Sequence, residues 1–142
     1  MTETSGAGSD DSAGRRPATT SLRTGTGTGA DGMDLTVHVP ADDQLVIDVH
    51  GELDMLTSPQ LRREVLDRLP AAALVVLALD EVSFLGTSGL AALIELREHA
   101  QRSGTTLRLA CTERRVLRPL SIAGLHHLFD IRDTVPEALA QT

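Results

Sequence analysis

Thr87 and Ser88 stand side by side between Gly86 and Gly89, at the head of an amphipathic run that begins at Leu90. Two hydroxyls framed by glycines at such a point suit a nucleophile, a phosphate cradle, a phosphorylation target or a helix cap. A nucleophile elbow needs Gly-x-Ser-x-Gly, so that both flanking positions tolerate a strained turn; here Leu90 fills the second glycine's place. His126, His127 and Asp130 supply the other residue types of a triad, but His precedes Asp, the wrong order for that fold, and the domain is small. A P-loop needs a lysine, and all 13 basic residues are arginine. The absence of lysine also excludes Schiff-base chemistry.

The remaining chemistry-bearing residues read as structural. Adjacent histidines point to different sides, and no third or fourth ligand stands at metal-site spacing, so His126-His127 reads as a polar loop before Phe129. His38 and His50 fall at strand ends and His99 on a helix surface. Asp42-Asp43 marks a turn and Asp80-Glu81 a strand exit, neither with a second carboxylate placed for acid–base work. Cys111 cannot form an internal disulfide, which fits a reducing cytoplasm, and it reads as a small core residue ending a strand. No catalytic residue, metal site or cofactor is expected.

The elements that must position the hydroxyl pair follow from periodicity. Residues 1–32 hold seven of the twelve glycines, many Ser and Thr, and little that is apolar. Such a segment buries too little surface to offset its ordering entropy and reads as a disordered tail. Its Thr-Gly repeat, residues 24–29, is low complexity and not a phosphate loop. The domain is expected over 33–142. Leu35, Val37 and Val39 alternate with polar residues as in a half-buried strand, Pro40–Asp43 signals a turn, and Leu45–Val49 forms a second strand of a hairpin. Thr57 or Ser58 is expected to cap a helix with Pro59 in its first turn and Leu61, Val65, Leu66 and Leu69 on one face. Leu74–Leu79 has no polar alternation, as in a strand buried on both faces. The spacing of Leu90, Leu93, Ile94, Arg97 and Ala100 predicts a helix over 88–102, ended by Ser103-Gly104. A strand at Leu107–Ala110, a short helix over 113–122, a short edge strand within Leu125–Ile131 and a closing helix over Val135–Ala140 complete the chain. The implied fold class is α/β: an opening hairpin, then alternating strands and helices, with helices mainly on one face of a mixed central sheet.

Composition narrows the function classes. The chain has 142 residues, a formal charge of −7, no Trp or Tyr and two Phe. Few aromatics argue against a base-stacking reader, and the acidic surface repels phosphates, so no direct nucleic-acid contact is expected. An acidic domain suits a basic protein partner. No apolar run reaches the roughly 18–20 residues that span a bilayer, and no secretory h-region is present, so no membrane association is expected.

The order Gly51-Glu52-Leu53-Asp54, then Thr57-Ser58-Pro59 with Leu61-Arg62, the apolar run 74–79, and Val82-Ser83-Phe84-Leu85-Gly86-Thr87-Ser88-Gly89-Leu90 resembles STAS-domain anti-sigma factor antagonists. The resemblance runs from about residue 33 to 140. It implies a cytoplasmic, non-enzymatic regulator, monomeric or weakly dimeric. Such a protein binds an anti-sigma factor that is also a serine kinase and thereby frees the sigma factor. It implies phosphorylation at Ser88 or Thr87, ended by a phosphatase, and partner binding through Asp54, Thr57, Gly86, Gly89 and Leu90, with Gly89 admitting close approach. A phosphate at a helix N-terminus is favoured by the dipole and free N–H groups, and its added charge beside Asp54 and Asp80 alters docking without unfolding. The family usually keeps an acid where this chain has Gly86. The alternative is therefore a STAS interaction module or scaffold in a stress-signalling complex that is not phosphorylated.

Overall fold

The computed structural model describes residues 18–22 and 32–140. Alternating apolar positions turn Met33–Ala41 (β2) and Gln44–Leu53 (β3) into an antiparallel hairpin that buries Met33, Leu35, Val37, Ile47 and Val49 on one face. Ala18–Leu22 (β1) pairs antiparallel with the outer edge of β2. The sequence reading places these five residues in a disordered tail; the unpaired edge of a nine-residue strand is a template for them. The rest of that tail, apart from Gly32, lies outside the described residues, as do the last two residues.

After α1 (Ser58–Leu66) and a 3-10 turn at Leu69–Ala71 the chain enters β4 (Leu74–Ala78). It continues through β5 (Val82–Leu85), α2 (Thr87–Ser103), β6 (Thr106–Ala110), α3 (Arg114–Ile122), β7 (Asp130–Arg132) and α4 (Val135–Leu139). The sheet runs β1-β2-β3-β4-β6-β7, mixed in direction. β3 divides its parallel pairing, Gln44–Asp48 with β4 and Gly51–Leu53 with β5. β5 is the element the sequence reading lacks: four residues with Ser83 and Phe84 both exposed show no clear alternation.

α1, α2 and α3 cover one face, where Leu61, Val65, Leu93, Leu96, Val116 and Leu120 meet the strand side chains. α4 alone covers the other, packing Ala138 on Val46, Leu74, Val76 and Ala110. A helix of five residues is too short to hold itself, and Arg108 secures it. Its Nη1 donates to the carbonyls of Ala138 and Ala140, both at 2.7 Å, and its Nε to Asp130 at 3.0 Å. Asp130 also accepts from Arg132, the main reason its carboxyl lies below the usual 3.8. Arg108→Ala is expected to cost about 2 kcal/mol, measured by urea unfolding, because it orphans two carbonyls. Lysine would restore little, since it lacks the planar fork. The Asp130 contribution is complete above its unfolded pKa of about 4 and is lost as pH falls through its lower folded value.

Candidate docking and modification site

The carboxyl end of β3 organises the site. At Gly51 the backbone turns to φ +107 and the pairing with β5 shifts register. Gly51 N–H donates to Glu81 O at 3.1 Å, and Glu52 N–H donates to Gly32 O at 2.9 Å. Leu53 is fully buried, and Asp54 starts a tight turn in which its Oδ1 accepts from the N–H groups of Leu56 (2.9 Å) and Thr57 (3.1 Å). The buried Thr57 hydroxyl donates to Glu52 O at 2.6 Å and accepts from Asp54 N–H at 3.0 Å. Thr57 occupies the N-cap position of α1 but makes no capping bond, because the Asp54 turn uses its hydroxyl. The neighbouring Ser58 hydroxyl is buried with no hydrogen-bond partner among the described residues.

β5 delivers the second half. Gly86 N–H donates to Leu53 O at 2.9 Å, which ties the start of α2 to the end of β3. Gly86 is the N-cap residue, in extended conformation, and Leu90 N–H donates to its carbonyl at 3.0 Å. Thr87 and Ser88 are therefore the first two helical residues, and neither caps the helix. Thr87 is exposed and Ser88 half-buried. Their hydroxyls have no hydrogen-bond partner among the described residues, and the first-turn N–H groups have none within the helix. The place combines donors, the positive end of a 17-residue helix and two uncommitted hydroxyls.

Asp54 and the hydroxyl pair are brought together through Leu53, which adjoins both segments. Gly89 and Leu90 face inward. Gly89 is buried, and a Cβ there would stand 2.9 Å from both Cβ and O of Leu53, so the space it leaves open is taken by this chain's own β3. Leu90 packs against the core. Asp80 is turned away to Thr112, whose N–H it accepts at 2.8 Å.

His126 and His127 are exposed beside one another, while Asp130 is engaged by Arg108 and Arg132. Among the described residues no three His, Cys, Asp or Glu side chains gather as a metal site. Cys111 is buried and its thiol is pushed up to about 12, chiefly by that burial. No helix of the described residues is long and apolar enough to cross a membrane.

The sequence reading misses three side chains at this end: Met55, Leu56 and Phe84 are 76%, 68% and 54% exposed. Two apolar residues inside an acid-led turn are the signal that could have found the first two.

Comparison with known proteins agrees on the fold, which also occurs in a sulfate transporter family protein from Wolinella succinogenes, with a TM-score of 0.63 at 21% identity over 71% of this chain and 85% of that one. The family pattern of the STAS domain matches residues 34–138. The anti-sigma-B factor antagonist of Bacillus subtilis is 25% identical over 100 residues, covering 70% of this chain and 92% of that protein. The crystal structure of an anti-sigma factor antagonist from Mycobacterium paratuberculosis superposes with a TM-score of 0.66 at 25% identity, over 86% of this chain and 92% of that one. SpoIIAA, a Bacillus anti-sigma factor antagonist, shares the fold at 19% identity and a TM-score of 0.64 in its unphosphorylated form, covering 74% of this chain and 92% of that one. Its phosphorylated form gives 0.59 at 18% identity, over 74% and 96%.

Proposed function

Because the chain belongs to the STAS domain family, we propose that it is an anti-sigma factor antagonist that works by partner switching. In its unmodified state it binds an anti-sigma factor that is also a serine kinase, and the sigma factor is released. The kinase then transfers the γ-phosphoryl group of ATP to the Ser88 hydroxyl, with Thr87 as the neighbouring acceptor. The hydroxyl proton is lost and ADP leaves. A phosphatase hydrolyses the ester and restores the binding form. The protein itself is non-enzymatic, cytoplasmic, and monomeric or weakly dimeric.

The observation that carries this reading is the pair of uncommitted hydroxyls in the first turn of α2, held beside the Asp54 turn. Modification at this point breaks no internal hydrogen bond, and the helix N-terminus favours the added charge. About −1.5 to −2 charge then stands close to Asp54, and a docked surface complementary to the unmodified loop is repelled and desolvated unfavourably. Gly86 offers no carboxylate to the kinase, so recognition rests on the surrounding surface.

The test uses the full chain with the purified serine-kinase anti-sigma factor from the same organism and Mg-ATP. Peptide mass spectrometry is expected to place one phosphoryl group on Ser88, and Ser88→Ala is expected to lose it. Ser88→Asp is expected to weaken binding at least about tenfold, or 1.4 kcal/mol. A chain that binds firmly but stays unmodified supports the constitutive interaction module. A wild-type chain that neither binds nor is phosphorylated overturns the antagonist reading.

A further inference from the structure

The chain has two aromatic side chains, and they are used differently. Phe129 is buried, whereas Phe84 is 54% exposed. The ring of Phe84 lies over Gly86: a Cβ at Gly86 would stand 2.9 Å from Cε2 and 3.3 Å from Cζ. The backbone of Gly86, at φ −93 and ψ −179, is open to any residue. A Cβ at this position would therefore be met by movement of the Phe84 ring, the free end of its side chain, and not by backbone strain.

Phe84 is not isolated. Opposite it on β3 stands Glu52, and the turn that follows carries the exposed Met55 and Leu56. Both segments flank Leu53, whose carbonyl binds Gly86. Three of the five large exposed hydrophobics among the described residues thus lie at one end of the sheet, beside Ser88. The charges that these segments carry have one sign. Residues 51–61 and 78–96 contain no arginine or lysine; of their five acids, Asp80 is turned to Thr112 and Glu95 is paired with Arg62, which leaves Glu52, Asp54 and Glu81. An apolar centre with an acidic rim matches a protein surface with an apolar pocket bordered by cations.

We propose that Phe84 is the anchor residue for the anti-sigma factor, and that the missing side chain at Gly86 lets its ring lie in the presenting position. The proposal rests on the antagonist reading and adds to it the residue that sets affinity. A half-exposed aromatic already held against backbone loses little freedom on docking, which is how a few side chains dominate an interface. The partner's pocket accepts the outer edge of the ring, its cations meet Glu52 and Asp54, and Ser88 comes within the partner's reach at the same time.

Titration calorimetry of the full chain against the purified serine-kinase anti-sigma factor tests this. Phe84→Ala is expected to raise Kd at least about tenfold, with unchanged circular dichroism, and Phe84→Leu by an intermediate factor. Gly86→Ala is expected to weaken binding in the wild-type background, because it displaces the ring, and to add nothing in the Phe84→Ala background. Binding by both Phe84 variants within about twofold of wild type overturns the anchor while leaving the antagonist reading in place. A Gly86→Ala penalty of equal size in the two backgrounds overturns the role given to Gly86. Failure of the wild type to bind overturns the antagonist reading and the anchor with it.

Discussion

Gly51→Ala is expected to destabilise the domain by about 3–4 kcal/mol and lower its thermal midpoint by more than about 10 °C. Two effects add. At φ +107 the backbone is far from any conformation comfortable for a residue with a Cβ. The new Cβ would also overlap the carbonyl oxygen of Gly32, which accepts the hydrogen bond from Glu52 N–H. Neither side can yield cheaply, because Gly32 leads directly into β2 and Gly51 is itself bonded to Glu81. Gly104→Ala is the matched control. Gly104 ends α2 at φ +74, and a Cβ there would meet no atom within 4 Å, so only the left-handed backbone penalty of about 1 kcal/mol applies. Urea unfolding of the two variants gives the excess loss that the more strained backbone and the overlap at Gly51 cause together. Equal losses would show that the contact with Gly32 contributes nothing.

Gly89→Val is the second large effect, and it acts on both stability and the site. The added Cβ would meet Leu85 Cδ1 at 2.7 Å and Leu53 Cβ and O at 2.9 Å each. Leu85 can rotate; a backbone carbonyl cannot. The first turn of α2 must therefore lift from β3, at a cost of about 3 kcal/mol. The hydrogen bond from Gly86 N–H to Leu53 O lies in the path of that movement. Faster amide exchange at Gly86 than at mid-helix residues is the expected signature. If the proposed function holds, phosphorylation by the anti-sigma kinase is expected to fall with it, because Ser88 leaves its place beside Asp54. A variant that unfolds cooperatively with no selective exchange at Gly86 would argue that the helix start is not the part that gives.

Periodicity made the larger elements legible. The unbroken apolar run at Leu74–Leu79 announced a strand covered on both faces, and the face of Leu90, Leu93 and Ala100 announced α2 to within one residue at each end. The helices fall mainly on one face, as alternation of strands and helices implied, with α4 the exception. The site was legible only in part. Ser88 stands out by its residue type and its place at the helix start, and Asp54 only through the family resemblance, but the meaning of Gly89 depends on Leu53, 36 positions earlier, and no local pattern records that contact. Thr57 had the composition of a helix cap, yet its hydroxyl is consumed by the preceding turn. β5 escaped notice because four residues carry too little alternation, and its partner is distant in sequence. For Ala18–Leu22, composition spoke for disorder, while the pairing depends on an edge supplied by another strand.

The divided pairing of β3 has a consequence for fidelity of folding. A strand with a single neighbour on that side can slip by one residue and recover most of its ladder, with every side chain turned to the wrong face. β3 answers to two parallel neighbours with a kink between them, five residues in one ladder and three in the other. A slip that suited β4 would misplace Leu53 against Leu85 and move the Gly51 kink off Gly32. The correct alignment is thus checked twice along one strand. Because the second check lies at the end that carries Asp54 and faces Ser88, a misaligned chain is also one that cannot bring these two residues together.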